Sequence, residues 1–365
     1  MVSQLSSQAI QKLKNDFDHF LDRLPNLQNG PYIYETLVTL LRMTEEDNIA
    51  RLDWKILKSA LQDMERAFQV FHNYRHVRKI AVFGSARLPE DSDEYQMAAN
   101  FARRITAQGF MVMTGAGGGI MEAINKGAGA EQSFGLNIQL PFEQNSNPFI
   151  EGDPKLIKFK YFFTRKLFFL READAIAAFP GGFGTQDEAF ECLTLTQTGK
   201  SPPVPVVLID KPGGTYWHAW DNYIQKELLP RELIDPEDRQ LYTITDDLQT
   251  GCEAISEFYR VYHSSRYVGD RLVIRLNHDL TDAQVETLNQ TFRDILLSGR
   301  IKKSSMLPGE IEHQQPQPQQ VMDKTEQLPR LVFHFNQRDL GRLYQMIATI
   351  NAMGGVPELE HPERK

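Results

Sequence analysis

Little in these 365 residues points to a metal, a membrane or a disulfide framework. Two cysteines, Cys192 and Cys252, are too few for a disulfide scaffold and lack the histidine partners of a zinc site. Cys192 falls at an apolar-looking helical position with no histidine near it, so it reads as core packing. No apolar run approaches the ~20 residues that a membrane span requires, and the polar opening from Met1 to Asp16 lacks the apolar stretch of a secretory leader. Positive charge is in deficit: 40 Lys and Arg stand against 48 Asp and Glu, a net charge of −8, which argues against a broad nucleic-acid surface. Two common phosphate signatures are missing as well. No G-x-x-x-x-G-K-[ST] occurs, and the first strand of the middle zone is followed by one glycine where a dinucleotide fold has G-x-G-x-x-G. A mononucleotide is therefore a better expectation than NAD or a hydrolysed triphosphate. The expected protein is soluble and cytoplasmic, with no metal, no cofactor, no nucleic acid and no membrane among its partners.

What is present falls into three zones. Residues 1–76 show helical periodicity, with Leu5, Ile10, Leu13, Phe17, Phe20 and Leu21 on one stripe and Ile56, Leu57, Leu61, Met64, Phe68 and Phe71 on another. They read as a helical extension that packs on the core or on another subunit. Residues 77–265 alternate short apolar runs with helical stretches: strands at 79–83, 110–113, 134–140, 175–179, 205–209 and 242–245, and helices at 94–108, 121–130, 162–173, 185–198 and 217–229. That alternation predicts an α/β fold, a Rossmann-like doubly wound parallel sheet covered on both faces. Residues 266–365 read as a small α+β module, with strands at 271–276, 301–306 and 331–335 and helices at 282–297 and 339–350. A Gln-, Pro- and Glu-rich segment near 308–327 reads as flexible, and the tail after Gly354 as disordered.

Three loops of the middle zone lie between a strand and a helix, the positions that gather at the carboxyl ends of a doubly wound sheet. They are Gly84-Ser85-Ala86-Arg87, Gly115-Ala116-Gly117-Gly118-Gly119 and Pro180-Gly181-Gly182-Phe183-Gly184-Thr185-Gln186-Asp187-Glu188. Glycine lets a ligand approach the backbone, and a helix start offers free N–H groups and the positive end of its dipole. Each loop alone is equally well explained by tight helix–strand packing. Together, at successive junctions, they favour a nucleotide or sugar-phosphate site. In the last turn Thr185 reads as an N-cap, with Glu188 at the capping-box spacing. The aromatic helix before it places Arg165 and Lys166 among phenylalanines, where a surface stripe, an ion pair or an anionic ligand would account for them.

This set of residues resembles the "lonely guy" (LOG) family of nucleoside 5′-monophosphate phosphoribohydrolases, long labelled lysine decarboxylases. The likeness runs from about Lys79 to Phe258. It is carried in order by Gly84-Ser85, Gly117-Gly118-Gly119-Ile120-Met121-Glu122-Ala123, Thr164-Arg165-Lys166, Pro180 to Glu188, and Leu193 to Lys200. The resemblance implies a catalytic pair, Arg165 and Glu188, and a phosphate held by Gly181, Gly182, Gly184 and Thr185, with Gly84, Ser85, Gly117, Gly118 and Glu122 also on the nucleotide. Glu122 is a candidate for a ribose hydroxyl and equally an ordinary first-turn acid. The family is dimeric or larger, so a homodimer or higher homo-oligomer is expected. The chain departs from small plant-type members in its two extra zones and in reading Thr114-Gly115-Ala116-Gly117-Gly118-Gly119 where many have Tyr-Gly-Gly-Gly. Both departures bear on base preference: AMP, a cytokinin riboside monophosphate, or another purine or pyrimidine nucleotide. The rival expectations are a non-catalytic nucleotide sensor or carrier on the same fold, and a molybdenum-cofactor-binding protein of similar fold.

Overall fold

A computed structural model describes residues 6–46, 48–139, 146–311 and 324–354. Most of the expected flexible segment, and the tail after Gly354, lie outside these residues. The chain forms two compact units, Met1–Leu61 and Gln62–Lys365. The first holds helices α1 (Ser7–Arg23) and α2 (Gly30–Glu45) and the opening turns of α3 (Arg51–His72). Its apolar residues Ile10, Leu13, Tyr32 and Leu41 are all exposed.

The second unit is built on seven strands: β1 (Lys79–Phe83), β2 (Met111–Thr114), β3 (Ser133–Ile138), β4 (Leu156–Phe159), β5 (Ala175–Ala178), β6 (Val206–Ile209) and β7 (Thr243–Thr245). They pair in parallel in the order β4-β3-β2-β1-β5-β6-β7. β1, β2, β5 and β6 are buried along their whole length, which is why they read as continuous apolar runs. Successive residues of β1 serve opposite faces. Ile80 and Val82 pack under α4 (Asp93–Ala107), α5 (Ile120–Ala128) and α9 (Leu248–Phe258), against Phe101, Ile124 and Ile255. Ala81 and Phe83 pack with Phe71 of α3, with Phe168 and Phe169 of α6 (Phe162–Glu172), and with Cys192 of α7 (Phe183–Gln197). Trp217 of α8 (Tyr216–Tyr223) joins that layer. The Rossmann-like fold class is as expected. β4 was not: it is a four-residue edge strand whose alternate residue Lys158 is exposed, too short and too polar to register as an apolar run.

The bland reading of residues 1–76 holds for the last turns of α3. Phe71 stacks on Phe134 at 4.9 Å and on Phe168 at 6.0 Å. Asp63, fully buried, reaches the start of α6 and accepts hydrogen bonds from Lys160 N (2.9 Å), Tyr161 N (3.3 Å) and Thr164 Oγ1 (2.8 Å), with Arg66 at 2.6 Å. Tyr161, the N-cap of α6, makes no side-chain cap bond. The cap comes instead from a residue about a hundred positions earlier. Asp63→Ala removes the cap of α6, leaves the Lys160 and Tyr161 N–H groups without this acceptor and is expected to cost about 2 kcal/mol, read as a lowered urea midpoint; an unchanged midpoint would refute the role.

A four-stranded antiparallel sheet follows, ordered β10-β11-β9-β8, from β8 (Tyr262–Val268), β9 (Arg271–Leu276), β10 (Leu296–Ser304) and β11 (Arg330–Phe335). Leu272, Ile274 and Phe333 of that sheet share a core with Leu288 of α10 (Asp282–Thr291) and Ile347 of α12 (Leu340–Met353). This is the expected α+β module, with two differences. β8, rich in serine and charge, was not foreseen, and the expected boundary at 265/266 falls inside it. The helix expected over 282–297 stops at Thr291, because Leu296 and Leu297 open β10. In α11 (Pro308–Ile311) the Glu310 carboxylate, fully buried, binds Arg330 Nε at 2.8 Å and Arg275 Nη2 at 2.6 Å.

Candidate functional site

In the sheet order β1 lies between β2 and β5, so the chain's direction of travel across the sheet reverses there. Ligands of open α/β sheets bind in the crevice outside the carboxyl ends at such a point. Here the loops after β1 and β5 are tied together: Phe179 N donates to Phe83 O at 2.9 Å and Ser85 N to Pro180 O at 3.0 Å. Above them opens a cavity of about 920 Å³. Its walls come from the loops after β1, β2, β5 and β6 and from the inner side of α6.

Of the residues expected in a site, Gly84, Ser85, Arg165, Gly181, Gly182, Gly184, Thr185 and Glu188 line this cavity. Gly117, Gly118 and Glu122 do not. Glu122 receives the hydroxyl of the buried Tyr95 at 3.1 Å, and the Gly117 carbonyl accepts from Asn147 Nδ2 at 3.0 Å. The glycines divide by what surrounds them. A Cβ on Gly84 would sit 2.6 Å from Ile120, and one on Gly119 would sit 2.3 Å from Ser85 O, so both glycines serve the packing of α5 onto the first loop. A Cβ on Gly182 or Gly184 would meet nothing within 4 Å, and neither residue has a positive φ. Neither packing nor backbone conformation requires glycine at those two positions. What they leave open is the start of α7, where Thr185 N and Gln186 N donate to Gly182 O at 3.0 and 3.1 Å and the N–H groups of Phe183 and Gly184 have no carbonyl partner within the helix.

α7 starts earlier than expected. Gly182 is its N-cap and Thr185 lies inside its first turn, so the capping box assigned to Thr185 and Glu188 does not form. The glycines after Pro180 let the helix begin two residues sooner. Glu188 is thereby relieved of a capping role, and it is 5% exposed. Its nearest cation, Lys166 Nζ, is 4.0 Å from Oε2. Lys166 is itself held by Asp187 at 2.7 Å and by Glu191. Burial pushes the Glu188 carboxyl up to about 7, against the opposing pull of Lys166 and Arg165.

Across the cavity Arg165 stacks near Phe162 at 4.9 Å and Phe169 at 5.8 Å. Among the described residues its guanidinium has no hydrogen bond and no ion pair, and Nε is buried without a partner. Burial holds it below its usual value, with Glu188 the strongest opposing influence. Glu188 Oε2 and Gln186 Oε1 are likewise buried without hydrogen-bond partners. Three orphaned polar atoms therefore belong to residues lining one cavity, a pattern that buried groups normally avoid unless a ligand supplies the missing bonds.

Several wall residues escaped the sequence reading. Tyr216, after β6, donates to Gly181 O at 2.5 Å and accepts from Gln186 Nε2 at 2.6 Å, fixing the shape of the glycine turn. Asp210, at the end of β6, anchors Tyr216 through its backbone N at 2.8 Å. Met121, Phe169 and the 97% exposed Phe183 add apolar surface. The only sequence signal for Tyr216 was its place after the strand expected at 205–209. The open space around Gly184 yields an expected result: Gly184→Ala keeps or slightly raises stability, by about 0.5 kcal/mol, while KM for a phosphorylated substrate rises about tenfold at unchanged kcat, a loss of about 1.4 kcal/mol of binding. Equal KM values in a steady-state comparison would count against phosphate at this turn.

Residues 121–255 match the model of a family described as "Possible lysine decarboxylase". The LOG resemblance read from the motifs is thereby shown for that stretch. No curated protein matches the chain. Among solved structures, TM1055 is 24% identical over 46% of this chain and 90% of its own, with a TM-score of 0.32. The molybdenum cofactor carrier protein from Chlamydomonas reinhardtii is 19% identical over 50% and 97%, with a TM-score of 0.36. The single-stranded-DNA-binding DNA processing protein A from Helicobacter pylori is 10% identical over 49% and 80%, with a TM-score of 0.34. No function is drawn from likenesses this distant. Among the described residues no helix is long and apolar enough to cross a membrane.

Proposed function

We propose, starting from the match of residues 121–255 to that family, that this chain hydrolyses the N-glycosidic bond of nucleoside 5′-monophosphates, releasing free base and ribose 5-phosphate. The observation that carries the reading is a buried carboxylate, Glu188, and a half-buried guanidinium, Arg165, each with a buried polar atom that lacks a hydrogen bond, in one cavity beside a helix start kept open by Gly182 and Gly184. The 5′-phosphate takes the Phe183 and Gly184 N–H groups at the start of α7, with the Thr185 hydroxyl beside them. Cleavage passes through an oxocarbenium-like ribose. Glu188, ionised, stabilises that charge and accepts a proton from the attacking water, whose oxygen bonds to C1′. The C1′–N bond breaks with its electron pair kept by nitrogen, and that nitrogen takes a proton from solvent, to which Glu188 then returns the one it accepted, so the base departs neutral and the carboxylate is restored. Arg165, electrically coupled to Glu188, stands at the reacting bond and assists departure of the base through charge-assisted donation.

The decarboxylase description fits the cavity poorly. Pyridoxal phosphate chemistry needs a lysine amine to hold the cofactor, and among the described residues no lysine lines this cavity. The decisive experiment incubates purified protein with AMP, GMP, CMP, UMP and isopentenyl-adenosine monophosphate and looks for free base by chromatography. Release of free base from any of them supports the reading. Its absence from all five, with tight AMP binding, would instead mark a carrier or sensor.

A further inference from the structure

A second cavity, of about 250 Å³, lies at the amino ends of β1 and β5, the opposite end of the sheet from the Glu188 cavity. One wall is the core and the other is β8 of the C-terminal module. Four cations line it, Arg75, Arg78, Lys79 and Arg171, against two carboxylates, Glu172 and Asp174. That is a local positive excess in a chain of net charge −8.

Lys79 and Arg171 both pair with Glu172, Lys79 at 3.7 Å, and Arg75 and Arg171 are exposed, so the donor held in place is Arg78. Arg78 binds Asp174 Oδ1 through Nη1 at 3.2 Å and His263 O through Nη2 at 3.0 Å, and its guanidinium lies 3.7 Å over the Tyr259 ring. A guanidinium carries five N–H donors, so Arg78 is fixed on three sides with donors to spare. Asp174 is occupied, since its other oxygen accepts from Lys79 N at 3.0 Å. Ser265 Oγ pairs with the buried Tyr262 hydroxyl at 3.1 Å, and that hydroxyl also lies 3.5 Å from Pro203 O. A preorganised fork, a neighbouring hydroxyl and surplus positive charge together favour an oxyanion. The volume falls below the ~300 Å³ at which pockets for drug-sized ligands begin, and at ~30 Å³ per water it suits a small anion rather than a nucleotide.

We infer that this seam is a binding site for a small phosphate-class oxyanion, separate from the catalytic cavity. Its occupant bridges the core and the module. It also touches the far end of α6: Arg171 and Glu172 line this cavity, while Arg165 on the same helix lines the other. Six residues of helix, about 9 Å of rise, separate Arg165 from Arg171, so occupancy at the seam bears on the helix that positions Arg165.

The test titrates inorganic phosphate into the full-length protein at constant ionic strength by calorimetry, with and without saturating AMP. The expected result is a phosphate site that AMP does not displace. Arg75→Ala/Arg171→Ala weakens that site at least tenfold, and Ser265→Ala, a milder change that spares every ion pair, weakens it several-fold. Displacement of all bound phosphate by AMP, or AMP-insensitive binding unchanged in both variants, would overturn the inference. The readout is binding and not turnover, so it stands or falls separately from the hydrolase reading.

Discussion

Glu188→Gln is expected to lower kcat about a thousandfold while leaving nucleotide affinity within a few-fold of the parent. The two side chains have the same shape, and the phosphate contacts proposed above lie in the preceding turn, so binding is expected to survive. What is lost is a carboxylate that can carry negative charge and accept a proton. The pH dependence follows from the same burial. With Glu188 raised to about 7, the ionised form required for the reaction accumulates as pH rises through 7, so kcat/KM for the parent enzyme climbs through that value on its acid side. Stability moves the other way. Between the ordinary carboxylate value of 4.5 and about 7, the folded state holds this proton more tightly than the unfolded chain does. The parent therefore loses stability as pH rises through that window, on the order of 2–3 kcal/mol. Glu188→Gln has no such loss: it matches the parent at pH 4 and melts higher at pH 8. A variant that keeps its turnover, or melts lower than the parent at pH 8, would falsify the assignment of Glu188 as the buried catalytic carboxylate.

Arg165→Ala is the second large effect, expected at 10²–10³-fold in kcat/KM, the range seen when one preorganised donor to developing charge is removed. The division between kcat and KM is informative. A donor at the leaving base acts in the transition state, so the loss falls mainly on kcat, whereas a phosphate ligand would raise KM. Arg165→Lys restores little, because a point charge on a flexible stem does not reproduce a planar fork. Folding changes little: among the described residues the guanidinium makes no hydrogen bond or ion pair to lose, only its contacts with Phe162 and Phe169, worth about 0.5–1 kcal/mol, so Tm drops by no more than a few degrees. Steady-state kinetics of the two variants with AMP, beside thermal melts, check every part of this. Full activity in Arg165→Ala would remove the residue from the mechanism.

Much of the candidate site was legible in the sequence. Pro180 to Glu188, Arg165 and Gly84-Ser85 follow apolar runs or lie on a helix that periodicity marks plainly, and all of them line one cavity. Two local readings failed for a common reason. The spacing of Thr185 and Glu188 fits a capping box, but helix starts are fixed by where the backbone turns, and Gly182 turns it first. The glycines of the second loop look like the third loop's in sequence, yet what a side chain would strike there is set by α5 and the first loop.

By itself, then, the sequence determined the layer architecture, through apolar runs buried on both faces, and the residue types available for chemistry. Tertiary structure decided which of them meet. It brought β1 beside β5, and so joined two loops almost a hundred residues apart. It delivered Asp63 from the N-terminal helices to cap α6, and Tyr216 from the fourth loop to brace the glycine turn. It also left Arg165 Nε and Glu188 Oε2 buried without hydrogen bonds. Local patterns are governed by backbone geometry over a few residues. Burial, orphaned hydrogen bonds and a raised carboxyl depend on what is packed around a group, which is settled only when distant segments come together.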